Sequence, residues 1–175
     1  MKKHLLTIFA VGVLIMPVLA MGQTASGTLA VTATVQSSIS MMFNSNAGGV
    51  ALGNAGTNAA TLNFGNISAY GALSAGVSRV VGGANFTVST PFNVEVEKSN
   101  SSSANYSLTA QLASPDASNT WGLSGTAVSN AVASPLTAAG AYGSPGTAYT
   151  LQLTVPLASA AGAISNTINF AATAN

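Results

Sequence analysis

The sequence contains no cysteine and very little charge, and both absences narrow what the protein can be. Without cysteine, no disulfide can hold the chain together, although many small secreted domains depend on such bonds. Only 4% of the residues are charged, and the formal net charge is +1. The four basic side chains cannot neutralise a nucleic-acid backbone, so we expect no nucleic-acid partner.

Side chains that carry catalysis or bind metals are equally scarce. The single histidine is His4, close to the N-terminus. A serine nucleophile needs a positioned base, and three carboxylates are too few for most calcium sites. Glu95 and Glu97 lie on the same face of a predicted strand, about 7 Å apart, and a solvent-facing pair is a simpler interpretation than a glycosidase pair. We therefore expect no enzyme, no cofactor and no metal site.

The N-terminus has the pattern of a secretory signal peptide. A basic start at residues 1–4 is followed by an apolar run up to Ala20, as in secreted proteins. An uncleaved membrane helix would need about 20 apolar residues, and Pro17 would interrupt it. We predict a signal peptide at residues 1–22, with cleavage after Ala20 or Gly22. The expected location is extracellular, at the cell surface, reached through the periplasm.

The chain that remains after this cleavage is almost free of charge. It keeps two basic and three acidic residues, so its formal charge is 2 − 3 = −1. These residues are Arg79, Lys98, Glu95, Glu97 and Asp116. Copies of such a chain repel one another only weakly. We therefore expect the protein to associate with itself.

The run from Gly27 to Met41 alternates between apolar and small polar residues, which predicts a strand with one buried face. The apolar positions of its first half are Leu29, Val31, Ala33 and Val35. A straight strand over the whole run would be roughly 45 Å long, about twice the usual length. Either the chain bends near Ser37 into a second strand, or the first half extends beyond its own domain. Residues 23–36 are therefore a candidate donor strand, which pairs with its own domain or with a neighbouring subunit.

Several shorter segments alternate in the same way and predict further strands. These segments are Thr61–Ile67, Val77–Val81, Phe86–Val96, Asn105–Leu112, Trp121–Leu123, Tyr149–Val155 and Ile164–Ala172. Pro91 should bend or divide the third segment, because proline cannot donate to a strand ladder. Residues 92–96 and 106–112 predict a hairpin, whereas residues 126–146 have too little periodicity to be placed.

About seven to nine short strands separated by turn residues predict an all-β domain over residues 37–175. We expect an Ig-like antiparallel β-sandwich, completed by a donor strand from a neighbouring subunit if the N-terminal run extends outward. A small outer-membrane β-barrel is the competing architecture. It should carry aromatic girdles, and the scattered aromatic residues of this chain do not form them.

Two motifs carry a family resemblance. Residues 61–65, TLNFG, form a strand-plus-glycine pattern, and residues 151–170 combine a strand, a glycine turn at Ala161–Gly162 and an alternating last strand. In these features the chain resembles pilin subunits of the archaic chaperone–usher type, also called spore coat protein U-like domains. Ile164 and Asn166 stand where that family has tyrosine and aspartate, and the family's usual cysteines are missing.

The resemblance implies donor-strand complementation, in which the N-terminal strand of one subunit completes the sandwich of the next. It also implies a periplasmic chaperone and an outer-membrane usher as partners. The physical basis is β-augmentation, where backbone hydrogen bonds supply affinity and alternate side-chain pockets set the register. On this reading Leu29, Val31, Ala33 and Val35 occupy the pockets, and the protein is a structural subunit of a fibre.

A monomeric adhesin or carbohydrate-binding module is the alternative function. An exposed aromatic platform would distinguish it, with Trp121, Tyr106, Tyr142 and Tyr149 as the candidate residues. Most of these side chains are expected in the core, and Tyr142, in a glycine-rich stretch, is the best candidate for exposure.

Overall fold

The computed structural model describes residues 26–175, and the chain divides between Thr34 and Val35 into two units that are described separately. The signal peptide predicted at residues 1–22 lies outside the described residues. Within them the protein is all-β and contains no helix, so no helix there is long and apolar enough to cross a membrane.

Nine strands form two antiparallel sheets, which confirms the predicted β-sandwich class. The strands are β1 (Ser38–Ser45), β2 (Ser78–Val81), β3 (Asn85–Ser99), β4 (Tyr106–Leu112), β5 (Thr120–Leu123), β6 (Thr126–Val128), β7 (Ser134–Gly140), β8 (Thr147–Pro156) and β9 (Ile168–Ala174). The six-stranded sheet has the order β1-β3-β8-β5-β6, and β2 pairs with β3. The three-stranded sheet has the order β7-β4-β9.

The core lies between the sheets and is built by alternation, since every second residue of the central strands is buried. Its residues on these three strands include Phe86, Val88, Phe92, Val94 and Val96 of β3, Tyr106, Leu108 and Leu112 of β4, and Tyr149, Leu151, Leu153 and Val155 of β8. The faces predicted for the strands around Val94, Val96 and Leu108 are therefore correct.

Truncating a core residue should destabilise the fold much more than truncating its neighbour on the other face. Leu108 is fully buried, so Leu108→Ala should lower the free energy of unfolding by about 2–4 kcal/mol, and so should truncation of Val94 or Val96. Thr109 is only half-buried, and Thr109→Ala should lower it by under ~1 kcal/mol. Urea unfolding of the purified variants measures both values. Equal small effects would contradict the packing.

The predicted hairpin between residues 92–96 and 106–112 is wrong. β3 belongs to the six-stranded sheet and β4 to the three-stranded sheet, so the connection at residues 100–105 crosses from one sheet to the other. Alternation identified the buried faces of both strands, but it carries no information about which strands pair.

Pro91 does not divide β3, which continues unbroken for 15 residues. β2 pairs with β3 as far as Ser89 and β1 pairs from Phe92 onward, so Pro91 lies in the gap between them. The carbonyl of Pro91 faces Gly49 there, where a Cβ atom would lie 2.0 Å from its oxygen. The nitrogen of Pro91 faces the same gap, where neither β1 nor β2 pairs with β3. The absence of an N–H on this nitrogen therefore removes no ladder hydrogen bond.

One other predicted strand is absent, and another is shorter than expected. Thr61–Ile67 contains no strand and only one isolated bridge, from Thr61 to Gly53, although Leu62, Phe64 and Ile67 pack against the core as predicted. The last strand begins at Ile168, and Ile164 lies outside it with 37% of its surface exposed.

The segment that could not be placed, residues 126–146, supplies β6 and β7. These strands are edges of opposite sheets, and they close one side of the sandwich. The Ser134 hydroxyl donates a hydrogen bond of 2.7 Å to the carbonyl of Ala127 across this side. The opposite side has β1 and β9 as its edges.

Candidate strand-binding groove

An uncharged groove of about 890 Å³ opens in the unit that comprises residues 35–175. Buried side chains of β3 and β8 form its floor, including Phe86 and Phe92 of β3 and Leu153 and Val155 of β8. No charged side chain of this unit lines the groove. Its walls also carry uncharged polar side chains such as Asn63 and Asn166, so the groove suits an uncharged occupant that places apolar side chains on the floor.

The walls of the groove come from the two motifs that carried the family resemblance. Residues 60–69 form one wall and residues 157–168 form the other. Neither stretch contains a strand before Ile168. Both motifs therefore contribute to one place in the fold, although they are about a hundred residues apart in sequence.

The outer edge of β9 has no strand partner among the described residues, since β9 pairs only with β4. The carbonyl of Thr167 accepts from Ala113, and the N–H of Asn175 donates to Asn105, so these residues face β4. Backbone groups alternate in direction along a strand. Those of Ile168, Phe170, Ala172 and Ala174 consequently point away from β4 and are free to pair.

The edge of β9 lacks the features that usually prevent strand addition. It carries no charged residue and no proline, two devices by which proteins protect exposed edges. Across the sandwich, the ring of Phe170 packs edge-on against Phe43 of β1 at a centroid distance of 5.1 Å. Phe43 and Ile168 also line the groove, so the free edge and the groove are adjacent.

The N-terminal run differs from its prediction as a strand. Residues 26–37 belong to no strand, and β1 begins only at Ser38. An alternating sequence forms a strand only when its backbone hydrogen-bonds to a neighbouring strand. No described strand pairs with this stretch. Ile39 and Met41, by contrast, lie in β1.

The four predicted donor positions lie in this strandless stretch. Leu29, Val31 and Val35 are 88%, 81% and 74% exposed, and Ala33 is also exposed. Their role as interface residues stays a prediction. Large apolar side chains with this exposure would gain about 1.5–3 kcal/mol each on full burial.

Trp121 and Asp116 form a polar contact at the groove that the sequence did not reveal. Trp121 lines the groove from β5 and is 7% exposed. Its indole N–H donates to the Asp116 carboxylate at 2.8 Å. The same carboxylate accepts from the backbone N–H groups of Ser118 and Asn119 at 3.0 and 2.9 Å. The motif Asp116-x-Ser118-Asn119 was the available signal, because such residues form hydrogen-bonded turns.

These hydrogen bonds should make the stability of the fold depend on pH. Burial acts to raise the pKa of Asp116, but the bonds from Trp121, Asn119 and Ser118 outweigh it, so the pKa lies below its ordinary value of 3.8. The stabilisation is then complete above the pKa of the unfolded chain and is lost as the pH falls through the lowered folded value. Urea midpoints measured between about pH 6 and pH 2 should fall less steeply in Asp116→Asn than in the wild type.

The acidic pair considered for catalysis is split between two environments. Glu95 is 6% exposed and accepts a hydrogen bond of 2.7 Å from Asn44 on β1, so its predicted place on a solvated face is wrong. Glu97 is exposed. Among residues 26–175, no three acidic, histidine or cysteine side chains form a group that could hold a metal ion.

The aromatic residues considered for a sugar platform do not form one. Trp121, Tyr106 and Tyr149 are buried. Tyr142 is half-buried against Tyr106, and its hydroxyl bonds to the carbonyl of Asn105 at 3.1 Å. Tyr70 has a largely exposed ring, at 74%, and sequence reasoning did not single it out.

No protein-family model, no curated protein and no solved structure matches this chain. Its function therefore has to be inferred from the groove, the free edge of β9 and the N-terminal segment.

Proposed function

We propose that the protein is a structural subunit of a secreted bacterial surface fibre, assembled by donor-strand complementation. The N-terminal segment of one copy, with Leu29, Val31, Ala33 and Val35 on one face, occupies the groove of the next copy. A periplasmic chaperone protects the groove before assembly, and an outer-membrane usher exports the fibre.

One observation carries this proposal, which is that a single chain holds an open, uncharged groove with an apolar floor and an exposed segment with alternating apolar side chains. The groove lies beside an unpaired strand edge, and residues 29–35 alternate with the period that a strand needs to fill pockets on one face. Both the groove lining and residues 26–37 are uncharged. Neither surface therefore repels the other.

A cysteine scan tests the proposal cleanly, because the chain has no cysteine of its own. One variant carries Ala163→Cys, an exposed position in the groove wall. A second set carries one cysteine at each position from Leu29 to Val35. After the two are mixed and oxidised, the odd position nearest residue 163 should form an intermolecular disulfide and its even neighbours should not, because a disulfide needs Cα atoms within about 7 Å and Cβ atoms that point toward each other.

Two controls test whether the cross-links are specific to the groove and whether they form between copies. A cysteine at Ser102, an exposed residue in the β3–β4 connection, should not react with the segment. A double variant, Val31→Cys with Ala163→Cys, reveals pairing within one chain as an internal disulfide in the monomer. Internal closure at high dilution with no cross-linking between copies would contradict assembly in trans.

A further inference from the structure

The Asp116–Trp121 contact lies at the groove, and the inference that we draw from it rests on the proposed function. Trp121 is the only tryptophan of the chain. It pairs across the sheet with Leu153, which forms part of the groove floor. A small exposed part of its ring therefore lines the groove at that level, and the rest of the side chain is buried.

An indole ring in this position needs an acceptor for its N–H. Trp121 is 7% exposed, and a buried N–H without a partner is destabilising. The indole N–H donates to the carboxylate of Asp116, which lies in the β4–β5 connection and in no strand. The ring orientation therefore depends on a loop residue and not on the sheet alone.

Asp116 is itself held in place. Its Oδ1 atom accepts from the backbone of Ser118 and Asn119, and the Asn119 side-chain amide donates to both carboxylate oxygens at 3.2 and 3.1 Å. Oδ2 faces the indole N–H. A carboxylate bonded in this way has little rotational freedom, so it presents a fixed acceptor to the ring.

We infer that Asp116 is a positioning residue of the groove, which fixes the Trp121 ring as a packing surface for the strand of the neighbouring subunit. Asp116 itself need not touch that strand. Its loss would leave the indole N–H unpaired at the groove and would let the ring turn toward water. The fibre junction would then lose a preformed surface. The binding of the neighbouring strand would be weaker, because the ring would have to lose conformational entropy when the strand binds.

The test compares Asp116→Ala with Asp116→Asn, in the wild type and in a Trp121→Phe background. Phenylalanine keeps an aromatic surface but has no N–H to satisfy. Junction lifetime is measured as the exchange of labelled subunits out of assembled fibres. Asp116→Ala should accelerate exchange by about tenfold, which corresponds to losing one charge-assisted hydrogen bond. Asp116→Asn keeps one acceptor oxygen, which can serve the turn or the indole N–H but not both, so it should restore only part of the lifetime.

In the Trp121→Phe background, Asp116→Ala should add no further acceleration. An equal acceleration there would mean that Asp116 acts through its own turn, and the inference would be overturned. Glu97→Gln, at an exposed acid on β3, should leave exchange unchanged as the matched control for charge.

A second readout separates this inference from the proposed function. Acrylamide quenching of fluorescence reports on Trp121 alone, because no other tryptophan is present. Quenching in the monomer should increase in Asp116→Ala and by a smaller amount in Asp116→Asn, which keeps one of the two acceptor oxygens. If wild-type subunits never assemble, the fibre function fails, and the quenching still decides whether Asp116 fixes the ring. Unchanged quenching in Asp116→Ala overturns the inference in either case.

Discussion

Deleting residues 24–36 should abolish polymerisation and leave a folded monomer. The described part of the deleted stretch belongs to no strand and exposes its large apolar side chains. The sandwich from β1 onward should therefore lose little when it is removed. The groove would then stay empty, and no copy could supply the strand for its neighbour. Light scattering and electron microscopy measure assembly, and urea unfolding measures the stability of the monomer.

Point substitutions should separate the role of the apolar face from that of the chain as a whole. Val31→Asp places a charge in an uncharged groove with an apolar floor, where it would be desolvated without a partner, and it should abolish assembly as the deletion does. A charge at Ala33 should have the same effect. Thr32→Ser, on the opposite face, should assemble like the wild type.

The outcome of the deletion on the monomer distinguishes two roles for the segment. A folded monomer that cannot assemble supports donation to a neighbour. Unfolding of an otherwise stable monomer would mean that the segment completes its own domain, and the fibre function would lose its main support.

Alternation in the sequence predicted the buried faces of this fold well, because it follows from the geometry of a single strand. Val94, Val96 and Leu108 are fully buried, as their positions predicted. The same alternation failed on pairing, since Phe92–Val96 and Tyr106–Leu112 lie in different sheets. Pairing depends on contacts between distant segments, and a local pattern carries no information about them.

The candidate site was predicted in pieces and not as a whole. The alternating apolar segment at residues 29–35 and the two motifs at residues 61–65 and 151–170 were each visible in the sequence. Their convergence at one groove was not, because it depends on how two strandless stretches cross the open side of the sandwich. In the sequence, Asp116 was recognised only as one of the few charged residues. Its role depends on its hydrogen bond to the indole N–H of Trp121, which a sequence pattern does not reveal.

Blocking the free edge of β9 should abolish assembly without unfolding the subunit. Ala172 lies in the middle of β9, and by alternation from Thr167 its N–H points away from β4. Ala172→Pro removes this N–H and places a ring where a neighbouring strand would pair. Proline is tolerated at such an outward-facing position of an edge strand. The β4–β9 ladder should therefore persist, with urea stability within about 1 kcal/mol of the wild type.

The neighbouring residue supplies the matched control. The N–H of Ala171 faces β4, since Ala171 shares its parity with Thr167. Ala171→Pro should therefore break the ladder and lower the free energy of unfolding by about 3 kcal/mol or more. Ala172→Val adds bulk at the same site but keeps the N–H, and it should still assemble.

The pair of proline variants decides whether the fibre junction uses backbone pairing at β9. Strand addition predicts that Ala172→Pro is a stable monomer, and that Ala171→Pro is destabilised in the monomer itself. Normal fibres from Ala172→Pro would contradict pairing along β9, even if the groove still bound the segment. The cysteine scan would then show whether the segment still lies extended in the groove, held by side-chain packing without a ladder to β9, because a period-two pattern requires an extended segment.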